Sequence, residues 1–298
     1  MKLEFTVPES YHGRRLSDFL HAAGLTTGLI RSIKYQQQGL AVNGLRAKTN
    51  QLLCAGQRVT VLFPEEPDTS VQPEEMPLTI LYESDFSMVF NKPAGQLVHP
   101  SVAQAQGTLA GGWCWLMEQR GTPAPMRPIT RIDKNTSGLV LCAKNRFAAP
   151  LLGKNLHKVY YAVAEGEMPL GKGVIDAPIA LAEGSGISRC VAPGGKPSVT
   201  DYTVLCAKNG HSLVRVEPRT GRTHQIRVHF AFLGHPLAGD DMYGGSRKLI
   251  SRHALHAAEL RFWEPLADAP RTLAAPLPQD LQELCENLGF LARILHDL

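Results

Sequence analysis

Short apolar runs bounded by Gly, Pro, Asn and Asp set the rhythm of this chain and predict strands joined by tight turns. Leu139-Val140-Leu141-Cys142-Ala143 is apolar at every position, as a strand buried on both faces requires. Leu78–Tyr82 and Ser87–Asn91 are expected to pair across Glu83-Ser84-Asp85, and Thr200–Cys206 and Ser212–Glu217 form a second expected pair. In Lys158-Val159-Tyr160-Tyr161-Ala162-Val163 the faces alternate, so Tyr160 and Tyr161 point to opposite sides of a sheet. Helical spacing is sparser. It predicts helices over Thr108–Met117, with Trp113 and Trp115 as core, over Asn145–His157, and from Thr223 as cap to Gly234, with Pro236 beyond. Leu281, Leu284 and Leu288 recur at helical spacing near the C-terminus. The Gly-, Ser- and Pro-rich stretch 183–198 reads as an exposed loop, and the chain has no internal repeat.

The N-terminal part has a pattern of its own. A strand is expected over Leu3–Val7, then a helix with Leu16, Phe19 and Leu20 on one face and Gly24 as its stop. A second helix is expected over Thr27–Gln37, carrying Arg31 and Lys34 on one side. Val42-Asn43-Gly44 marks a hairpin, and Arg58–Phe63 the closing strand. Residues 64–77 are rich in Pro and Glu and nearly free of large apolar groups, which is linker chemistry. The expected organisation is a small module over 1–63, a linker over 64–77 and a larger domain over 78–298.

At 298 residues, 44% hydrophobic and 19% charged, the chain can bury a proper core. Its net charge is only +4, yet residues 1–63 set eight basic side chains against three acidic ones, a local +5 that points to a polyanion partner. The six cysteines are scattered without a C-x-x-C pair and read as small apolar residues of a reducing compartment. With no apolar signal core and no run of membrane length, a cytoplasmic protein away from membranes is expected. His224 and His229 diverge on a helix, and His253 and His256 lack further ligands, so no metal site is expected.

One stretch concentrates chemistry: Arg131-Ile132-Asp133-Lys134-Asn135-Thr136-Ser137-Gly138, directly before the Leu139–Ala143 strand. A carboxylate between cations, set in a turn on rigid support, has what a carboxylate nucleophile needs. The same residues also suit a capped turn in which Asp133 only bonds backbone amides. A glycosidase with paired carboxylates is disfavoured, because no second acid accompanies Asp133.

Asn91-Lys92-Pro93-Ala94-Gly95, the Arg131–Gly138 stretch, Lys158-x-Tyr160-x-Ala162, and Thr220-Gly221-Arg222-Thr223-His224-Gln225-Ile226-Arg227-Val228-His229 with the later Gly239-Asp240 and Tyr243-Gly244 together resemble the RluA-type pseudouridine synthases over about 78–298. Thr130 stands where a His is commoner, and Trp263-Glu264-Pro265 replaces a more usual His-Pro. Residues 13–63 resemble the alpha-L RNA-binding module first known from a ribosomal small-subunit protein, with its Val-Asn-Gly element and Gly-Gln-Arg-Val turn and strand.

The resemblance implies an α+β fold whose catalytic domain has a mixed, largely antiparallel sheet, preceded by a small α/β module. It implies isomerisation of uridine in RNA, the base being detached from ribose, rotated and rejoined through carbon. Asp133 would be the nucleophile at the ribose carbon, Arg227 its partner, and Tyr160 the residue against the base that also assists proton removal. Substrate-binding roles would fall to Arg131, Arg222, Lys92, His99 and Thr136, with Lys92 and His99 also expected to shape a loop near the pocket, and RNA contacts of the module to Arg31 and Lys34. The expected partner is structured RNA, ribosomal ahead of transfer RNA, acted on by a monomer that uses no metal or organic cofactor. The rival expectation is a non-catalytic RNA-binding or ribosome-assembly protein that keeps the synthase fold.

Overall fold

The computed structural model describes residues 1–64 and 70–290, and within them the strands form two main sheets. The smaller contains β1 (Lys2–Thr6), β2 (Leu40–Val42), β3 (Leu45–Arg46) and β4 (Arg58–Leu62) in the order β1-β4-β2-β3, with α1 (Leu16–Ala22) and α2 (Thr27–Lys34) between β1 and β2 in the chain. Leu16, Leu20 and Ile33 of the helices share one buried core with Val59 and Val61 of β4. Asn43 and Gly44 both take positive φ (50° and 80°), the backbone that a two-residue hairpin turn demands. α2 buries Leu29, Ile30 and Ile33 and leaves Arg31 and Lys34 exposed.

The larger sheet holds most of the remaining strands: β5 (Ile80–Glu83), β6 (Ser87–Lys92), β7 (Arg127–Pro128), β8 (Ser137–Ala143), β9 (His157–Glu165) and β10 (Gly171–Asp176). β11 (Ile179–Leu181) and β12 (Arg189–Val191) form a hairpin apart, and β13 (Val199–Lys208), β14 (His211–Pro218), β15 (Leu255–Trp263) and β16 (Pro270–Ala274) rejoin the large sheet. Its order is β10-β13-β14-β9-β15-β8-β6-β5, with β16 beside β15 and β7 beside β8. The β8–β15 pair is parallel, and the other pairs described are antiparallel. The mixed, largely antiparallel α+β architecture expected from the resemblance is present.

The all-apolar β8 run is explained by its surroundings. Val140 and Cys142 face the core shared with Trp113, Tyr160 and Phe230, on the side of α3 (Leu109–Gln119) and α5 (Gln225–Phe232). Leu139 and Leu141 face the opposite core, with Ala148 and Leu152 of α4 (Ala148–Leu152). α6 (Gln279–Asn287) closes the back of the sheet with Leu281 and Leu284 against Val163 and Leu213. Gly138 has φ 109°, and a Cβ there would lie 2.2 Å from the Ala257 carbonyl oxygen of β15. Only glycine lets the two parallel strands approach so closely at the start of β8.

Several local expectations need correction. The helix expected over Asn145–His157 is only Ala148–Leu152: Asn155 takes a left-handed φ of 52°, and the chain is already extended from His157. α5 begins at Gln225 and is not capped by Thr223, because His224 turns left-handed (φ 57°) before it. Stretch 183–198 contains β12 and is not loop throughout. α2 stops at Lys34, short of Gln37.

Residues 65–69 of the expected linker lie outside the described residues, but 70–77 are not a free tether. Glu74 donates its N–H to Gly111 O (3.1 Å) and accepts the Gly107 N–H at Oε2 (2.7 Å). Met76 fills the space over Gly112, where a Cβ would come within 2.8 Å of it. The absence of side chains at Gly111 and Gly112 opens the surface of α3 to this segment. The N-terminal module also packs on the larger domain, through Phe63 after β4 against Phe147 before α4 (ring centroids 6.0 Å apart).

Candidate active site

The turn before β8 is fixed by its backbone. Thr136 N–H donates to Asp133 O (3.1 Å), closing the turn, and Lys134 O accepts from Gly95 N–H (2.9 Å) and Lys92 Nζ (3.1 Å). Asn135 O accepts from Arg252 Nη1 (3.1 Å), whose guanidinium is anchored on Asp280 through Nε (2.6 Å) and Nη2 (2.9 Å). Thr136 Oγ1 pairs with His253 Nε2 (2.8 Å), and Ser137 Oγ with His256 Nδ1 (2.9 Å). These contacts hold the backbone while the Asp133 side chain stays 25% exposed.

Arg227 meets that side chain from the first turn of α5. Its Nη1 donates to Asp133 Oδ2 (3.0 Å), and Nε and Nη2 grip Asp240 Oδ2 and Oδ1, both at 2.7 Å. The Asp240 side chain is fully buried, so this fork is desolvated and its direction fixed. Burial opposes the Arg227 charge, but the Asp240 and Asp133 carboxylates outweigh it and hold its pKa above the ordinary value. Tyr243 lies beneath, its ring 4.9 Å from the guanidinium carbon. Oδ1 of Asp133 has no hydrogen-bond partner among the described residues. One carboxylate oxygen is therefore tied and the other left free. Tyr160, buried on β9, has its phenol pushed up by burial and then by the nearby Asp133 charge, and stays protonated at neutral pH.

The other expected site residues divide. Arg131 and Arg222 are exposed, Arg222 donating through Nε to Pro197 O (3.3 Å). His99 is half-buried, and burial together with the Arg131 charge lowers its pKa, so Arg131 and His99 are neighbours. Arg31 and Lys34 stand on the small sheet's α2, not among the groups around Asp133.

Lys92 and Thr136 do not fit the substrate-binding role expected of them. Both are sealed in, and Lys92 Nζ donates to Pro93 O (2.8 Å), Gln96 O (2.7 Å) and Lys134 O (3.1 Å), leaving no donor for a ligand. Burial, and then the Arg252 charge, pushes its amine down to about 7. Its role is to bind the loop after β6 to the Asp133 turn. Lys92→Met should cost roughly 2–3 kcal/mol, because buried carbonyls lose their donor. Denaturation should show that loss, and turnover should fall with RNA affinity unchanged.

Asp240, His224, Tyr243 and Arg252 were not expected at the site from sequence. The first three sit in the motif blocks, but nothing in their spacing reveals that Asp240 grips Arg227 or that Tyr243 Oη meets His224 Nδ1 (2.7 Å). A concavity of about 530 Å³, lined among others by Lys172, Asp201, Glu217 and Arg219, has none of the Asp133 cluster in its walls. Among the described residues no three metal-ligating side chains converge, and no helix is long and apolar enough to cross a membrane.

The turn's two histidines give stability an acid limit. Burial first, with Arg227, Arg252, His224 and Lys92 adding to it, pushes His253 down to about 2; burial, with a smaller contribution from Arg252, takes His256 to about 4. Both titrate near 6.5 when unfolded. Below that pH the unfolded chain takes up protons that the folded one refuses, so stability falls with pH, down to about 4 for His256 and about 2 for His253. At pH 5 the loss should approach roughly 2 kcal/mol per histidine. Melting curves between pH 7.5 and 5 should show it, less steeply in His256→Gln.

The chain is similar to known proteins over nearly its whole length. Residues 86–232 match the family model described as RNA pseudouridylate synthase. The chain is 37% identical over 292 residues to a Bacillus subtilis protein designated uncharacterized RNA pseudouridine synthase YhcT, covering 96% of this chain and 97% of that one. It is 34% identical over 309 residues to ribosomal large subunit pseudouridine synthase D of Escherichia coli O157:H7, covering 96% and 94%. The solved structure of human RNA pseudouridylate synthase domain containing 1 aligns over 74% of this chain and 98% of its own, with TM-score 0.55 and 26% identity.

Proposed function

This chain belongs to the RNA pseudouridylate synthase family, and from that premise we propose that it isomerises uridines of structured RNA with Asp133 as nucleophile. The observation that carries this reading is the division of labour on one carboxylate: Oδ2 held at 3.0 Å by a clamped Arg227, Oδ1 free. Arg227 keeps the carboxylate aimed without blocking its attacking atom.

In the proposed sequence Oδ1 attacks C1′ of the uridine while the C1′–N1 bond breaks, and uracil departs with that electron pair. The base turns, C5 attacks C1′, and the carboxylate leaves with its electrons, restoring Asp133. The C5 hydrogen must then be removed as a proton. Tyr160, a neutral buried phenol, is poorly suited to accept it, so its part is to present a flat wall to the base. That departs from the proton-removing role first expected of it.

A stacked uridine cannot present C1′ to Asp133 and must be extruded, at about a few kcal/mol in a duplex. Exposed Arg131 and Arg222 are suited to hold phosphates of the displaced strand, and Arg31 and Lys34 to contact RNA further away. Ribosomal RNA is the proposed substrate, in line with the name of the Escherichia coli relative and with the basic residues 1–63. Asp133, Tyr160, Arg227 and Asp240 all come from one chain, so a monomer suffices.

Mapping pseudouridines in cells lacking the protein, with and without the wild-type gene restored, tests the substrate. Loss and recovery of sites in ribosomal RNA is expected. Sites in transfer RNA alone would move the substrate, and no lost site would favour the binding-only rival.

A further inference from the structure

We infer that His224 is the base that removes the C5 proton after the uracil has been rejoined, acting through Nε2. The inference rests on Asp133 as nucleophile and assigns the C5 proton to the imidazole in preference to the restored Asp133 carboxylate, whose Oδ2 stays tied to Arg227.

Four observations converge. His224 Nε2 lies 3.9 Å from Asp133 Oδ2, and the imidazole is 14% exposed, on the same side of the site as the carboxylate. The backbone of His224 is left-handed at φ 57°, uncommon outside glycine although His is among the residues enriched there, so the side chain's aim needs a restraint of its own. Tyr243 supplies that restraint, its Oη 2.7 Å from Nδ1 and its ring edge-on at 5.7 Å. Tyr243 is itself fixed, since its Oη accepts the Arg189 N–H of β12 (3.0 Å). With Tyr243 Oη accepting from both Arg189 N–H and His224 Nδ1–H, the Nδ1–H tautomer leaves Nε2 its lone pair, facing the site, whereas a phenol that donated to Nδ1 would put the ring proton on Nε2.

The reaction puts the proton within reach. C5 bonds to the carbon that Asp133 has just released, so its hydrogen is shed inside the same site that Nε2 faces. Other candidates are engaged: Lys92 on three carbonyls, His253 on buried Thr136, Arg227 on two carboxylates.

Groups from every side set the charge of His224. Burial lowers its pKa most, Arg227 and Arg189 lower it further, and Asp133 and Asp240 pull the other way, while Tyr243 and His253 complete its surroundings. The balance leaves a neutral imidazole at pH 7, as a base requires. In the step, the C5–H proton passes to Nε2 and the C–H electron pair forms C5=C6. The former C6=N1 pair moves to N1, which takes a proton from water, and the imidazolium later returns its proton to solvent.

His224→Asn is the suitable variant, because Asn tolerates a left-handed backbone. It should be assayed in the full-length protein on bulk RNA from cells lacking it, prepared with hydrogen or deuterium at uracil C5. Expected are a turnover about 10²–10⁴-fold lower, a primary isotope effect larger than in wild type, and loss of the acidic limb of the kcat/KM profile. Tyr243→Phe should shift the same readouts less. Wild-type turnover in His224→Asn would overturn the inference, and so would slow turnover with an unchanged isotope effect and pH profile, since that marks a merely structural role. Turnover by Asp133→Asn would instead defeat the underlying nucleophile assignment, so the two failures are distinguishable.

Discussion

Arg227→Met should unfold at markedly lower denaturant than wild type and lose roughly 10²–10³-fold in turnover. The stability loss follows from Asp240: its fully buried carboxylate loses both 2.7 Å bonds to the guanidinium. Breaking a buried pair from one side costs about 3–5 kcal/mol. The activity loss has a separate origin, because Asp133 Oδ2 is no longer held and the free oxygen is no longer aimed. A double variant separates the two effects. Arg227→Met combined with Asp240→Leu replaces the whole pair by apolar groups, which is often neutral for stability. It should recover most of the denaturation midpoint and none of the turnover. Recovery of both would mean that Arg227 serves the fold alone.

Asp133→Asn should have the opposite profile: near-normal stability and RNA affinity, and turnover reduced by at least about 10⁴-fold. The amide keeps the shape of the carboxylate and can still accept from Arg227, and the side chain is partly exposed, so little packing is disturbed. What disappears is the nucleophile, since a neutral amide oxygen does not displace a base from C1′. No neighbour can substitute: Asp240, the other carboxylate bonded to Arg227, is fully buried with both oxygens engaged.

The sequence exposed Asp133 more readily than its supports. Asp133 stood out because a charged turn precedes an apolar strand, and Arg227 and Tyr160 because they lie in motif blocks; all three are close in space. The buried second tier was not legible. Asp240 and Arg252 act across gaps of 13 and 28 residues in the chain, and such pairings leave no local periodicity. Lys92 was legible only in part: its loop-shaping place near the pocket is expected from sequence, whereas its burial on three carbonyls, which removes it from substrate, leaves no local signal. Strands were read better than helices because alternation and turn residues are local signals. The Asn145–His157 helix failed where Asn155 adopts a left-handed backbone, and the α5 start shifted for the same reason at His224.

The most direct measurement is tritium release from bulk RNA labelled at uracil C5, taken from cells lacking the protein and treated with wild type or with Asp133→Ala. Breaking the C5–H bond is an obligatory consequence of rejoining the base through carbon, so released tritium counts completed isomerisation. Rapid release by wild type and none above background by Asp133→Ala is the predicted result. Equal release by the two proteins would contradict the account.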